Sequence, residues 1–152
     1  MALRALILLA AASLAVANQA IYNNRQLLSG WSDASYDTQA SYTGDTIKVQ
    51  TGPYGTFALK NPAVALTSFS GVQFDVKGDP STNLHAFLQS TKNPLNSNNV
   101  DLSDEINPGA FSTVQIDFAS IELPAGPWDT ITIQTYGDQT VNYELDNVIL
   151  LS

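Results

Sequence analysis

The side chains that could carry out catalytic chemistry are few in this chain. It has one histidine, His85, and no cysteine. The sequence therefore does not supply a cysteine nucleophile with a histidine base, or a metal site with several histidine ligands. The adjacent acidic residues Asp104 and Glu105 lie in a polar segment, where a solvated loop is the simpler interpretation. Asp75 and Asp117 are a further pair of carboxylates of the kind that glycoside hydrolysis requires, at a separation that the sequence does not give. We therefore predict that the chain is not an enzyme.

A binding role is better supported, because aromatic and amide side chains recur on one side of the predicted strands. Aromatic rings can stack on the apolar face of a sugar, and amides both donate and accept hydrogen bonds. Tyr54 lies between glycines in the loop Gly52-Pro53-Tyr54-Gly55, which suits an exposed platform. The alternative for Phe87 is that a long loop covers it as part of a satellite core. The predicted ligand-binding residues are Tyr36, Tyr54, His85, Phe87, Gln89, Gln134 and Tyr136.

Strands must position these side chains, since no stretch keeps a helical apolar period for three turns. The separators between the apolar segments carry Gly, Pro, Asn and Asp, which is typical of an all-β sandwich or barrel. We interpret Asn93 to Asn107, rich in Asn and Ser, as one long surface loop. The predicted strands are Ala20 to Asn23, Ser35 to Tyr42, Thr46 to Thr51, Thr56 to Leu59, Gly71 to Lys77, Asn83 to Gln89, Thr113 to Phe118, Thr130 to Tyr136 and Val141 to Leu151.

Alternation with a period of two assigns the faces of each predicted strand. Trp31 and Trp128 are interpreted as packing in the core rather than as stacking on a ligand. The strand residues predicted to fill the core between two sheets are Ile47, Val49, Val72, Phe74, Val76, Leu84, Ala86, Leu88, Val114, Ile116, Phe118, Ile131 and Ile133.

The first residues indicate secretion. Met1 to Ala17 has an early Arg4, an apolar stretch and a small-residue end at Ala15-Val16-Ala17, which is the layout of a secretory signal peptide. The apolar stretch is too short to anchor the chain in a bilayer. We predict a signal peptide over residues 1–17 and one extracellular domain over residues 18–152. A buried N-terminal helix is the alternative interpretation of the same segment.

The charge balance narrows the class of partner. The chain has 6 basic and 14 acidic residues and a formal net charge of -8. Because such a surface repels phosphates, we expect neither nucleic acid nor an anionic membrane as a partner. Only 13% of the residues are charged, and uncharged polar residues are abundant, so we predict a neutral glycan or cell-wall polysaccharide as the partner.

Five short motifs stand out in the chain: Ile21-Tyr22-Asn23-Asn24, Gly30-Trp31-Ser32-Asp33-Ala34-Ser35-Tyr36, Tyr42-Thr43-Gly44-Asp45-Thr46-Ile47-Lys48-Val49, Leu123-Pro124-Ala125-Gly126-Pro127-Trp128-Asp129 and Tyr143-Glu144-Leu145-Asp146-Asn147-Val148. They resemble motifs of secreted carbohydrate-binding modules of the galactose-binding-domain-like superfamily. The resemblance implies a two-sheet antiparallel β-sandwich, a jelly roll of eight or nine strands. It also implies no catalysis, and glycan binding on the concave sheet or the edge loops.

The same resemblance implies a structural calcium ion. Its ligands would be a side chain after the first strand, at Asn23 or Asn24, oxygens of the turn Gly44 to Thr46, and Asp146 in the last strand. Calcium accepts such a mixture of oxygen donors, although this chain carries Asn where a carboxylate is usual. Alternatively, Asp146 and Asp45 are turn caps. The predicted metal ligands are Asn23, Asp45, Thr46 and Asp146.

Two functions of different classes follow from these observations. The first is a secreted, non-catalytic protein that binds a neutral glycan by aromatic stacking and amide hydrogen bonds. The second is a secreted structural or protein-interaction module, such as a wall, matrix or effector protein, on the same fold. A panel of glycans distinguishes the two.

Overall fold

The structure is a computed structural model that describes residues 17–23, 25–28, 30–79, 82–92, 96–123 and 126–152. The predicted signal peptide lies outside these ranges apart from Ala17, and so does Asn24, one of the two asparagines considered as a calcium ligand. Over the described ranges, no helix is long and apolar enough to cross a membrane.

Alternating apolar and polar residues form strands through most of the described chain. The described residues form twelve strands, five of them only two residues long, and two single turns of 3-10 helix. The helical turns are Leu66–Ser68 and Phe118–Ser120. The strands are β1 (Gln19–Ala20), β2 (Tyr22–Asn23), β3 (Gln26–Leu27), β4 (Ser32–Asp33), β5 (Tyr36–Ser41), β6 (Ile47–Lys60), β7 (Gly71–Gly78), β8 (Leu84–Gln89), β9 (Val100–Asp101), β10 (Ser112–Asp117), β11 (Thr130–Thr135) and β12 (Val141–Leu151).

The long strand β6 belongs to both layers of the molecule. Its first arm, residues 47–51, pairs with β12 and β5, and its second arm, residues 56–60, pairs with β11 and β4. The front sheet therefore runs β10-β7-β12-β6-β5, with β1 beside the end of β12, and the back sheet runs β4-β6-β11-β8-β9. All of these pairings are antiparallel, as is the separate β2–β3 hairpin.

The corner in β6 depends on Gly52 and Gly55. A Cβ at Gly52 would collide with the Asp37 carboxylate, and one at Gly55 would lie 2.6 Å from the Asp37 carbonyl oxygen. Strand β5 turns the same corner through a bulge between Tyr36 and Thr38. The prediction of two strands separated by a turn here is wrong, because β6 is one strand that bends at Tyr54, whose φ is 55°. The glycines let β5 and β6 approach closely at this bend.

The residues that alternation assigned to the core fill the space between the sheets. Every one of them lies in a single buried cluster, and Trp31 and Trp128 lie in the same cluster, as predicted. The prediction of an all-β, two-sheet antiparallel sandwich is thus confirmed. Seven of the described strands have six residues or more. The number is eight if the two arms of β6 are treated as separate strands.

The segment from Asn93 to Asn107 is not one long surface loop. Strand β9 pairs with β8 at the edge of the back sheet, and the Leu102 N–H donates to the Leu84 carbonyl oxygen at 2.8 Å. Leu102 is fully buried, and Ile106 is buried as well. Burial of Leu102 and Ile106 therefore packs the second half of this polar segment against the core.

Candidate functional site

The outer face of the front sheet carries a cleft of about 550 Å³. Residues directly opposite each other on antiparallel strands point to the same face, so the pairing register shows which side chains form its floor. Core-facing residues such as Val49 and Leu145 alternate with them. Two cross-strand rows line the cleft, Ser41, Lys48, Glu144 and Lys77 in one, and Gln39, Gln50 and Asn142 in the other.

Contacts among these side chains hold them in place. Lys77 Nζ lies 2.8 Å from Glu144 Oε1, and the Thr46 hydroxyl donates to Glu144 Oε2 at 2.8 Å. The Gln50 amide donates to Asn142 Oδ1 at 3.1 Å. Hydrogen bonds from Lys77 and then from Thr46 lower the pKa of the Glu144 carboxyl below its ordinary value. Glu144 is therefore an ionised acceptor at neutral pH.

An exposed aromatic ring lies beside the Lys77 end of the cleft. Phe111 is 42% exposed, and Lys77 Nζ lies 4.9 Å from the centre of its ring, within the range of a cation–π contact. The lysine is therefore held between a carboxylate and an aromatic face. Phe111 immediately precedes β10, next to the Asn107-Pro108-Gly109 turn.

Uncharged polar and charged side chains line the cleft. Apart from Tyr143, which is buried, its polar side chains are three amides, one serine, two lysines and two carboxylates, the second carboxylate being Asp79. The charges balance, and no histidine or cysteine is present in this lining. Such a surface offers many hydrogen-bond donors and acceptors with fixed positions.

Sequence analysis missed the cleft, although a signal was present. Gln50 and Asn142 each lie one residue away from a buried position, as an outward residue in an alternating strand does. The amides in β5, β6 and β12 were visible in the sequence. What the sequence did not show is that these three strands are neighbours, so the amides could not be assigned to one site.

Four of the seven predicted ligand-binding residues lie on the outer face of the back sheet, and a fifth, Tyr54, lies beside them at the corner of β6. We call Tyr36, Tyr54, His85, Gln134 and Tyr136 the tyrosine surface. Tyr36, Gln134 and His85 belong to one cross-strand row, since Tyr36 is opposite Thr56, Thr56 opposite Gln134, and Gln134 opposite His85. Tyr36 is 75% exposed, Tyr54 60% and Tyr136 38%.

Local contacts orient part of the tyrosine surface. The Gln134 amide donates to the Tyr54 carbonyl oxygen at 3.0 Å. The Tyr136 ring packs on His85 with 4.1 Å between ring centres, and Asn99 Nδ2 donates to the Tyr136 hydroxyl at 2.6 Å. These contacts fix one ring and one amide of the surface, while Tyr36 projects into solvent.

The prediction that Phe87 is an exposed stacking plate is wrong. Phe87, Thr132 and Ala58 are opposite one another across three strands of the back sheet, and they are only 5%, 0% and 3% exposed. Phe87 is buried outside the main core cluster, which agrees with the alternative of a satellite core. Gln89 is engaged nearby, because its Oε1 accepts from the Thr132 hydroxyl at 2.7 Å and its amide donates to Asn96 at 3.1 Å.

The acid pair left open by the sequence is too widely spaced for glycoside hydrolysis. Asp75 is opposite Thr113 and Asp117 is opposite Gly71, so the two carboxylates are separated by about 13 Å along the strands. The two carboxyl groups of glycosidases lie roughly 5–9.5 Å apart. Asp75 is moreover occupied by hydrogen bonds from Thr113 and Asn147, both at 2.6 Å.

The predicted calcium ligands Asn23, Asp45 and Asp146 do lie around one hollow, of about 390 Å³, at the β2–β3 hairpin. Arg25 lines it too, and its Nε and Nη2 both lie 2.8 Å from Asp45 Oδ1. The Thr46 hydroxyl is used by a carboxylate of the cleft. No group of three or more His, Cys, Asp or Glu side chains that could hold a metal ion occurs among the residues described.

These residues do not fit calcium as they are arranged. The ion needs six to eight oxygen donors, but a guanidinium already neutralises Asp45. The turn carbonyl at Gly44, which the resemblance offered as a ligand, accepts a hydrogen bond from the Tyr22 hydroxyl at 2.7 Å. Protein donors thus occupy two of the oxygen positions that an ion would require.

The Asp146-Asn147 pair has a local explanation in the strand itself. The register between β12 and β7 shifts between Asp146 and Ile149, and Asn147 has a φ of 49°, so the pair forms a β-bulge. Asp146 Oδ1 accepts from the Asn147 N–H at 2.8 Å. Polar residues that interrupt the apolar pattern here let the last strand bend.

Comparisons with known proteins give a fold and no closer relationship. No protein-family model matches the chain. No curated protein matches it in sequence either.

Solved structures of family 29 carbohydrate-binding modules share the fold. One variant of such a module matches with a TM-score of 0.67 at 16% identity, over 89% of this chain and 91% of the other. A variant described as complexed with mannohexaose matches with a TM-score of 0.67 at 16% identity, over 88% and 89% of the two chains. A variant complexed with cellulohexaose matches with a TM-score of 0.67 at 17% identity, over 88% and 89%. At this identity the similarity establishes the sandwich fold.

Proposed function

We propose that this chain is a secreted, non-catalytic carbohydrate-binding protein that holds a neutral glycan in the front-sheet cleft. The observation that carries the proposal is a row of three amides beside a second row that contains the Lys77–Glu144 ion pair, together spanning four adjacent strands. A concave site with a few converging polar groups is the usual form of a ligand-binding site.

The contacts within the cleft suit sugar hydroxyl groups. Gln50 and Asn142 are already joined by a hydrogen bond, so their remaining donors and acceptors keep a fixed direction. Glu144 and Lys77 offer an acceptor and a donor side by side. Because these side chains need little further ordering, binding loses less conformational entropy than it would at a mobile surface.

The charges of the cleft and of the whole chain favour a neutral ligand. The lysines and carboxylates of the cleft balance, and the whole chain has a net charge of -8, which disfavours anionic ligands such as nucleic acid and acidic lipid surfaces. Phe111 supplies an aromatic face next to the row that ends at Lys77. We propose that a sugar ring stacks on Phe111 while its neighbours along the glycan make the amide contacts.

The fold neighbours suggest which glycans to try first. Structures with a similar sandwich are described as complexes with mannohexaose and with cellulohexaose. Both are neutral linear oligosaccharides, and both serve here as probes.

Isothermal titration calorimetry of the chain with mannohexaose and cellulohexaose tests the proposal. We expect binding by the wild type, weakened by roughly 5- to 150-fold in the double variant Gln50→Ala/Asn142→Ala, because hydrogen bonds to a bound ligand contribute about 0.5–1.5 kcal/mol each. Gln115→Ala is the matched control, since Gln115 is an exposed amide of the same sheet that does not line the cleft.

The other outcomes are equally informative. If Gln115→Ala weakens binding as much as the cleft variant, the glycan binds elsewhere on the front sheet. If the wild type binds no glycan in a broad neutral panel, the glycan proposal fails and a structural or protein-interaction module becomes the better interpretation of the fold.

A further inference from the structure

We propose that the tyrosine surface on the back sheet is a second glycan-binding site, so that one chain can hold two glycan strands on opposite faces and cross-link them. The ligand class is the one proposed above, and the inference rests on the proposed function to that extent. The residues and the sheet are different.

The exposure of the tyrosine rings is the first observation. Tyr36 and Tyr54 are 75% and 60% exposed, and Tyr136 adds a third ring at 38%. Covering large apolar side chains with a ligand is favourable, because it removes apolar surface from water. Tyrosine loses little conformational entropy on binding, and its hydroxyl can remain in water or bond to a sugar.

The polar groups between the rings are the second observation. Gln134 lies in the row that joins Tyr36 to His85, and its amide is oriented by the Tyr54 carbonyl oxygen. The Tyr136 ring is held by His85 and by Asn99. A ring with fixed orientation beside a fixed amide matches a ligand that has apolar faces and hydroxyl edges, as pyranose rings have.

The length of the row sets the size of the ligand. Tyr36 and His85 lie on strands β5 and β8 with β6 and β11 between them, and three inter-strand spacings amount to about 14 Å. That distance exceeds one sugar ring. The ligand is therefore an oligosaccharide or polysaccharide that runs across the strands, and affinity should rise with chain length.

The charges of the surface favour a neutral ligand over an anionic one. Among the five residues that define it, only His85 can become positively charged, and Asp101 Oδ1 lies 4.0 Å from His85 Nε2. Hydrogen bonds from Ser103 lower the pKa of the Asp101 carboxyl, so this neighbour carries a negative charge near neutral pH.

The two sites face away from each other. The cleft is on the outer face of the front sheet and the tyrosine surface on the outer face of the back sheet, with the core between them. They come nearest at the β5–β6 corner, where Tyr36 belongs to the back face and Gln39 to the cleft. A single glycan wrapped around this corner is the competing arrangement, and the test must separate it from two sites.

The test combines variants of each site with two measurements. Calorimetry with cellulohexaose and mannohexaose should show a second ligand per wild-type chain. Tyr36→Ala/Tyr54→Ala should remove that ligand, weakening the site by roughly 5- to 150-fold for each stacked ring lost. It should leave binding in the cleft unchanged. Tyr36→Phe, which keeps the ring, should retain most of the affinity.

Light scattering with a soluble neutral polysaccharide measures cross-linking directly. The wild type should cross-link the polymer, whereas Tyr36→Ala/Tyr54→Ala and Gln50→Ala/Asn142→Ala should each bind it without cross-linking. Both tyrosines are exposed, and far-ultraviolet circular dichroism checks that the double variant remains folded.

Several results would overturn the inference. One ligand per chain, unaffected by the tyrosine variant, leaves the cleft as a single site and the proposed function intact. One ligand per chain that both double variants weaken indicates a glycan wrapped around the corner. If binding is lost only in the tyrosine variant, the proposal that the cleft binds glycan is wrong. If no binding is detected at all, both proposals are wrong.

Discussion

At the scale of single residues, Glu144 links the stability of the front sheet to the chemistry of the cleft. Its two carboxylate oxygens are used by different partners, Oε1 by Lys77 and Oε2 by Thr46. Both partners stabilise the charged form and so lower its pKa. A carboxyl group whose pKa is lowered on folding stabilises the native state above its unfolded pKa, and this contribution disappears as the pH falls through the folded value.

Glu144→Gln should therefore destabilise the chain in a pH-dependent way. The difference in unfolding free energy between wild type and variant should be constant near neutral pH, at up to about 1 kcal/mol for a partly exposed ion pair. It should shrink as the pH falls below the ordinary glutamate value of 4.5. Urea unfolding of both proteins at neutral and acidic pH measures it. An equal difference at both pH values would contradict the ion-pair explanation.

At the scale of elements, the short β2–β3 hairpin depends on contacts with the rest of the sandwich. A two-stranded hairpin is at best marginally stable alone. Its preceding residue Ile21 donates to the Val148 carbonyl oxygen at 2.7 Å, Tyr22 donates to the Gly44 carbonyl oxygen, and Arg25 pairs with Asp45. The guanidinium thus supplies the positive charge that a bound cation would have contributed at this edge.

Because Arg25 already neutralises Asp45, calcium should not change the melting temperature of the wild type. Arg25→Gln should cost at most about 1 kcal/mol, as expected for an exposed ion pair. It should also free Asp45, with Asp146 nearby, to attract a divalent cation. Differential scanning fluorimetry with calcium or a chelator measures both effects, since an ion that binds only the native state raises its melting temperature.

Asp146→Ala in the Arg25→Gln background is the control, and it should abolish any rise caused by calcium. A clear rise in the melting temperature of the wild type with calcium would contradict the arrangement described here and restore the calcium site that the resemblance implied.

At the scale of the whole molecule, one core supports both sheets without a disulfide. The chain has no cysteine, and the core-facing apolar residues of the front and back sheets belong to one cluster. Strand β6 carries the hydrogen-bonded ladder from one sheet to the other. Both features couple the sheets, so the domain should unfold in a single cooperative transition.

Leu102→Ala tests how far this coupling extends. Leu102 is fully buried although it lies in a polar segment, so the substitution should lower the free energy of unfolding by about 2–5 kcal/mol. Tryptophan fluorescence and far-ultraviolet circular dichroism should report the same lowered midpoint. Asp104→Ala, an exposed position two residues away, should change little. Two separate transitions in the variant would show that the β9 segment unfolds on its own.

Which strand side chains face the core could be assigned from the amino-acid sequence alone. In an extended chain, successive side chains point to opposite faces whatever the partner strand is, so Val72, Phe74 and Val76 could be assigned from their spacing alone. The same local rule put His85 and Gln134 on an outward face. Turn residues and apolar alternation likewise sufficed for the all-β sandwich.

Which strands are neighbours, and what covers each outward face, became clear only from the folded chain. Gln50 and Asn142 meet although they are far apart in sequence, because pairing joins distant segments and no local pattern specifies the partner. Alternation assigns Phe87 to an outward face, yet its side chain is buried. Arg25 forms an ion pair with Asp45, which belongs to a different segment of the chain. Side-chain direction is a property of the local backbone, whereas burial and site assembly depend on contacts between distant parts of the chain.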